Sequence, residues 1–182
     1  MPQQKTIIVY KFSELGVKAK EFAKGEDQRI LGYASADDAI ASLKALAVHF
    51  NGTMKDWSVS WDRSSPSYTK FDMPEDFTVE DIRIRLDKLG DYDLETLKGI
   101  GDCKLTGYCA DEDAIDGLRF AFYAGERDID KLMQSAFRSW LTAAQDDYKD
   151  QYSDATFGEN ADANEYLYYR DGSMFAARDE AE

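Results

Sequence analysis

The chain is poor in the residues that build disulfide scaffolds and metal sites. It has two cysteines and one histidine in 182 residues, so disulfides cannot be what holds the fold together. One histidine and two cysteines without local pairing do not indicate a zinc site. A catalytic Ser-His or Cys-His pair would have to use His49. Its position near the end of a helical pattern favours hydrogen bonding to helix carbonyls instead.

Long apolar runs and phosphate-binding glycine loops are missing as well. No segment approaches the roughly 18 apolar residues of a membrane span, and the first residues lack the pattern of a secretory signal. The Gly99-Ile100-Gly101 segment has neither the Lys-Ser/Thr of a P-loop nor the spacing of a dinucleotide fingerprint. We therefore expect a soluble protein of a reducing compartment, with no cofactor and no membrane partner.

Negative charge, in contrast, is abundant and unevenly placed. The formal net charge is −14, with a net of −1 in residues 1–90 and −13 in residues 91–182. An acidic half of this size repels nucleic acid and attracts basic surfaces, such as the grooves that hold nucleic acid. Solubility alone also accounts for an acidic composition. The first 24 residues are slightly basic, so direct contact with nucleic acid stays open for the segment from Lys5 to Lys24.

Hydrophobic periodicity predicts an α+β fold. Helices are expected after the capping residues Ser13, Ser35, Thr78 and Asp128, the first of them ending at Gly25, and after the acidic run 111–113. Strands are expected at residues 6–12 and 104–109, with a β-hairpin over residues 54–73 and a second one at the Asp-Gly pair 171–172. We expect a single globular domain over residues 1–182, in which a central β-hairpin and short strands pack against several amphipathic helices. A sub-division near residues 75–92 is the alternative.

The most unusual feature is a row of carboxylates at the end of the longest helical pattern. Asp146, Asp150 and Asp154 are four residues apart, with Asp147 beside them. Like charges at this spacing destabilise a helix, and anions near its C-terminus oppose its dipole. Four residues of helix rise about 6 Å, which approximates every second phosphate of a DNA strand. A solvated helix end is the alternative.

Further acids and tyrosines complete the predicted partner-binding set. Tyrosines beside carboxylates suit an interface that receives arginine, and they suit a hydrophobic core equally well. The candidate partner-binding residues are Asp146, Asp147, Asp150, Asp154, Asp111, Glu112, Asp113, Tyr148 and Tyr152. No catalytic or metal-binding residue is assigned.

Several longer stretches resemble small acidic proteins of phages and prophages of gut bacteria. They are IIVYKFSELGVKAKEFA, HFNGTMKDWSVSWDRSSPSYTKFDMPED, GDCKLTGYCADEDAIDGLRFAF and NEYLYYRDGSMF. That group is associated with anti-CRISPR proteins that inhibit type II-A Cas9. The resemblance implies action by binding in the host bacterial cytoplasm, and it carries no catalytic motif. It does not indicate which surface binds.

These observations lead to one principal hypothesis and two alternatives. The principal hypothesis is a non-enzymatic anti-CRISPR protein that binds Cas9, loaded with guide RNA, and blocks target DNA binding through an acidic surface. Cas9 fits such a ligand because it reads DNA through arginines and a positively charged channel. The first alternative is an antirestriction protein that mimics DNA against a restriction enzyme or another DNA-binding enzyme. The second is a metal-dependent enzyme acting on nucleic acid, since that chemistry needs only a few carboxylates.

Overall fold

The computed structural model describes residues 6–90, 92–93, 98–99 and 105–175. The chain divides into two compact units. Unit 1 combines the two ends of the chain, Met1–Ala34 and Lys149–Glu182, and unit 2 is the continuous segment Ser35–Tyr148. The sequence pattern predicts one domain, with a division near residues 75–92 as the alternative. The two units of the structure meet along the chain after Ala34 and after Tyr148.

The α+β class is confirmed. The described residues form six α-helices, which are α1 Val17–Ile30, α2 Ala36–His49, α3 Val79–Leu86, α4 Asp111–Tyr123, α5 Ile129–Gln151 and α6 Asp154–Ala163. They also form the strands β1 Thr53–Ser58, β2 Tyr68–Asp72, β3 Tyr92–Asp93 and β4 Lys98–Gly99. Short 3-10 helices lie at Phe12–Glu14 and Asp87–Leu89.

Unit 1 is built around the ring of Phe12, which is 1% exposed. The ring lies 4.8 Å from that of Phe157 in α6 and 6.1 Å from that of Tyr168, between ring centroids. Backbone hydrogen bonds join Tyr10 to Tyr168 in both directions, at 2.8 and 2.9 Å. These contacts link the start of the chain to its end, so neither terminal segment of unit 1 completes this core alone.

Two sequence predictions for the start of the chain are wrong. The strand expected at residues 6–12 is reduced to a single bridge at Tyr10, because its partner is the distant Tyr168 and not a neighbouring strand. The first helix begins after Gly16 instead of after Ser13, and it continues through Gly25 to Ile30. Glycine lowers helix propensity without stopping a helix that is otherwise supported by its packing.

Unit 2 contains the hairpin and the larger apolar core. Strands β1 and β2 pair antiparallel, with a bulge between Met54 and Asp56, as the alternating pattern predicts. Residues 105–109 form no strand, and Lys104 of the expected strand 104–109 lies outside the described residues. The largest fully buried apolar side chains of this unit are Trp140, Phe50, Leu43, Leu46, Ile82, Leu86, Leu118, Leu132 and Met133.

Helix starts in unit 2 follow the capping signals. Thr78 caps α3 by accepting from the backbone N–H of Asp81, whose carboxylate in turn accepts from the Thr78 N–H at 2.9 Å. Helix α4 crosses α5 closely at Gly117, where an added Cβ would lie 2.6 Å from the Cβ of Ser139. The absence of a side chain at that position therefore sets the approach of the two helices.

His49 joins the end of α2 to the end of α3. Its Nε2 donates to the Arg85 carbonyl at 3.0 Å, and the Arg85 guanidinium donates to the His49 carbonyl at 2.5 Å. The expected bond to a helix-end carbonyl is therefore made, but to a neighbouring helix. Burial lowers the pKa of His49 from its ordinary 6.5. The hydrogen bond to the Arg85 carbonyl partly opposes this shift, and the charges of Arg85 and Lys88 add to it.

The tight turn at Gly172 packs closely against the backbone of Ala19 in α1. Gly172 has a φ of +95°, and an added Cβ would overlap the carbonyl oxygen of Ala19 and lie 2.8 Å from its carbonyl carbon. We expect Gly172→Ala to lower the free energy of unfolding by about 2 kcal/mol or more, from backbone strain and steric overlap together. Gly125→Ala is the matched control, since Gly125 has a φ of +101° with nothing within 4 Å. If urea denaturation shows that both variants lose the same free energy of unfolding, the close packing at Gly172 is contradicted.

His49 predicts a pH dependence of stability. Since its pKa is lower in the folded chain than the ordinary 6.5, its contribution is complete above pH 6.5 and is lost as the pH falls through the folded pKa. Urea denaturation between about pH 7.5 and about pH 5 should show a steeper loss for the native chain than for His49→Gln. Parallel curves for the two proteins would show that His49 is not responsible.

Candidate functional site

A depression in unit 2 gathers carboxylates from separate parts of the chain. Its volume is about 480 Å³. Its lining comes from the start of α2, the loop before α4 and the last turns of α5, and consists of Ser35, Asp38, Ala41, Thr106, Gly107, Tyr108, Cys109 and Asp147. We call this the acidic depression. The described residues that line it include two carboxylates and no lysine or arginine.

The position of these acids is compatible with a stable fold. Asp38 lies in the first turn of α2, where the positive end of the helix dipole favours an anion. Asp113 lies in the first turn of α4, close enough to the depression for its charge to act on Cys109. The positive ends of the two helix dipoles thus offset part of the electrostatic repulsion between these carboxylates.

The pKa of the Cys109 thiol is raised by its surroundings in the depression. Partial burial raises the pKa of its thiol above the ordinary 9.0, and the charges of Asp147 and Asp113 raise it further. The thiol is therefore protonated near neutral pH, and a protonated thiol is a poor nucleophile. Cys103, the other cysteine, lies outside the described residues.

The side chain of Asp111 lies beneath the depression and binds segments that line or flank it. It is fully buried, and its carboxylate accepts from the Thr106 backbone N–H at 2.8 Å, the Thr106 hydroxyl at 2.9 Å and the Gly107 N–H at 2.8 Å. It also accepts from the hydroxyl of Ser42 in α2. The expectation that Asp111 contacts a partner is corrected. Its buried carboxylate accepts hydrogen bonds that join the 106–107 loop to α2.

The expected row of acids at the end of α5 is not one helical row. Helix α5 ends at Gln151, and Ser153 caps a new helix that begins at Asp154. Asp154 pairs with Lys24 at 2.6 Å and Lys20 at 3.9 Å. The sequence pattern missed this break because the helical spacing of acids continues through it.

The other members of the row differ in their surroundings. Asp146 is exposed and pairs with Arg63 at 2.7 Å. Asp150 is exposed and accepts from the hydroxyl of Thr156 at 3.1 Å. Asp147, in contrast, lines the acidic depression. Of the row, Asp147 is therefore the member that the structure brings to a concave surface.

The two candidate tyrosines are in part structural. Tyr152 is 7% exposed, and its hydroxyl donates to the Gly32 carbonyl at 2.5 Å and to the Asp27 carboxylate at 3.1 Å. Its expected role in an interface is corrected, because both its ring and its hydroxyl are used within unit 1. Tyr148 is half-buried, and burial together with the charge of Asp62 raises its pKa. Glu112 and Asp113 are exposed as expected.

The basic segment at the start of the chain is largely neutralised within unit 1. Lys11 pairs with Asp162 at 3.7 Å, and Lys20 and Lys24 pair with Asp154. Lys18 lines a second depression of about 760 Å³ together with Arg170. Lys5 lies outside the described residues. Direct binding of nucleic acid by this segment stays a prediction.

The described part of the chain also bears on metal binding and on membrane insertion. No group of three or more His, Cys, Asp or Glu side chains there is placed to hold a metal ion. Among the same residues, no helix combines the length and the apolar character that crossing a membrane requires.

Comparison of the chain with protein-family models, with curated proteins and with solved structures finds no match.

The structural role of Asp111 can be separated from a binding role by stability. Asp111→Ala leaves the buried Ser42 hydroxyl and the part-buried donors of Thr106 and Gly107 without their acceptor, so we expect it to lower the free energy of unfolding by about 3 kcal/mol. Its exposed neighbour is the matched control, and Glu112→Ala should cost at most about 1 kcal/mol, the value of one charge at a helix start. Equal stability of the two variants in urea denaturation would refute the role assigned to Asp111.

Proposed function

We propose that this protein is a non-enzymatic inhibitor that binds a Cas9-type nuclease, loaded with guide RNA, and blocks its access to target DNA. The observation that carries the proposal is the acidic depression, which the carboxylates of Asp38 and Asp147 both line. The choice of Cas9 among basic partners rests on the sequence resemblance. The acids are proposed to take the place of phosphates against lysine and arginine of the partner.

The distribution of charge between the units supports unit 2 as the binding unit. Residues 35–148 contain 13 basic and 23 acidic side chains, a net charge of −10, and the two segments of unit 1 together carry −4. A net charge of this size attracts a basic partner over distances comparable to the screening length, which is about 10 Å at 0.1 M salt. Charge complementarity of this kind raises the association rate and makes binding sensitive to salt.

Neutralising the two lining acids should weaken inhibition. For the double variant Asp38→Asn with Asp147→Asn, we expect the concentration needed to block the target-DNA gel shift of Cas9–guide RNA to rise at least about tenfold. The control is Glu75→Gln with Asp76→Asn, which removes the same charge from two exposed residues before α3. Equal weakening by both double variants would show that only net charge matters, and no weakening by the first would remove the depression from the interface.

The same assay, preceded by a pull-down with and without guide RNA, separates the target from the mechanism. Salt-sensitive binding that abolishes the DNA shift supports the proposal. Failure to bind either form of Cas9 overturns the choice of target and favours a restriction enzyme as the partner. Binding that leaves the DNA shift intact overturns the mechanism. Turnover of guide RNA or DNA that EDTA abolishes would replace a binding function with a catalytic one.

A further inference from the structure

Helix α4 has a solvent-facing side whose composition its own fold does not explain. Its buried residues are Asp111, Ala114, Ile115, Leu118, Arg119 and Phe122. At 100° per residue, the opposite side is an arc of about 100° that holds Glu112, Asp113, Asp116, Phe120 and Tyr123. We call these five residues the α4 outer face. Asp116 is half-buried and pairs with Arg119 at 3.2 Å, and Arg119 lies just outside the arc and is 2% exposed.

The acids of this face have an ordinary explanation, and Phe120 does not. Glu112 and Asp113 are in the first turn of α4, where the helix dipole stabilises anions. Phe120 is 66% exposed, more than any other aromatic side chain among the described residues. A large ring in solvent forgoes the stabilisation that burial would give. On the helix, Phe120 lies about 20° from Asp113, at one edge of the arc.

A second ring extends the aromatic end of the face. Tyr123 follows Phe120 by three residues, which places it on the neighbouring turn of the same side, and it is 41% exposed. Its ring stands at 90° to that of Phe122, with 5.2 Å between the centroids. This contact with a buried ring limits the freedom of Tyr123. The α4 outer face therefore offers two exposed rings at one end and carboxylates at the other.

Arginine is the side chain that this combination suits. A guanidinium stacks on aromatic faces and pairs with carboxylates, whereas a lysine ammonium is a compact and strongly hydrated charge. Asp113 precedes Phe120 by seven residues, or about 10 Å of helix, so one arginine can stack on the rings while a second meets the acids. A purely apolar partner would desolvate the carboxylates of Glu112 and Asp113 without itself supplying a positive charge.

We propose that the α4 outer face binds an arginine-bearing segment of the partner, with one guanidinium stacked on Phe120 and Tyr123 and another paired with Glu112 and Asp113. The inference rests on the proposed function for the identity of the partner as a nucleic-acid-binding protein. The preference for arginine over lysine is a property of the face itself and is measurable without that partner.

The test compares an oligo-arginine peptide with an oligo-lysine peptide of equal length by isothermal titration calorimetry. We expect the native chain to bind the arginine peptide more tightly. In the double variant Phe120→Leu with Tyr123→Leu, which keeps apolar side chains and removes the rings, the affinity for the arginine peptide should fall about fivefold and that for the lysine peptide should fall by less. Phe120→Tyr keeps the ring and should retain the preference.

Tyr68→Leu is the matched control, since Tyr68 is an exposed ring elsewhere in unit 2 with 50% exposure, and it should leave both affinities unchanged. Equal affinity of the native chain for the two peptides, or an unchanged preference in the double leucine variant, would overturn the inference. So would an equal loss for both peptides.

Inhibition of Cas9–guide RNA provides the second readout. A native chain that inhibits Cas9 together with a double leucine variant that inhibits equally well would overturn the face as part of the interface. A native chain that fails to bind Cas9 but retains the arginine preference would overturn the proposed target alone.

Discussion

The buried carboxylate of Asp111 is the interaction on which the acidic depression depends. It receives hydrogen bonds from the 106–107 loop and from Ser42 of α2, and it is itself the first residue of α4. Three segments that line or flank the depression are thereby fixed by one charged group. A buried charge is stable only when it is well hydrogen-bonded, which ties the shape of this surface to the folding of unit 2.

The acids of this chain differ in the surface on which they lie. Asp146 and Asp154 each have a cationic partner within 4 Å, which reduces the field that they present to another molecule. Asp38 and Asp147 share a concave surface that no lysine or arginine lines among the described residues. Field lines from charges in a concave site are focused by its low-dielectric walls, so a few acids placed there act more strongly than a larger number spread over a convex surface.

Helix α4 connects the two proposed binding elements. Its start contributes Asp113 to the electrostatic surroundings of Cys109, and its outer face leads from there to Phe120 and Tyr123. The same helix packs against α5 at Gly117, which lies outside the outer face. A side chain on the outer face can therefore change recognition without disturbing the core, whereas Asp111, Gly117 and Leu118 cannot change without disturbing the fold.

The sequence alone determined the elements whose signals are local. The cap at Thr78, the acids at the start of α4, the alternation of β1 and β2 and the Asp-Gly turn before Ser173 each act over a few residues, and the corresponding elements are present. Tertiary structure decided the rest. The carboxylates at residues 146–154 were assigned to one row because their spacing is helical, but the break after Gln151 and the ion pair with Lys24 depend on contacts within unit 1. Helical spacing places Asp111 on the apolar side of α4, with Ile115 and Leu118, but a sequence does not show which donors satisfy a carboxylate there. Only the packing brings Ser42 and Thr106 to Asp111 and lets its charge be buried. Periodicity records which side of a helix is apolar, whereas the position of a charge relative to distant donors is set by how the helices pack.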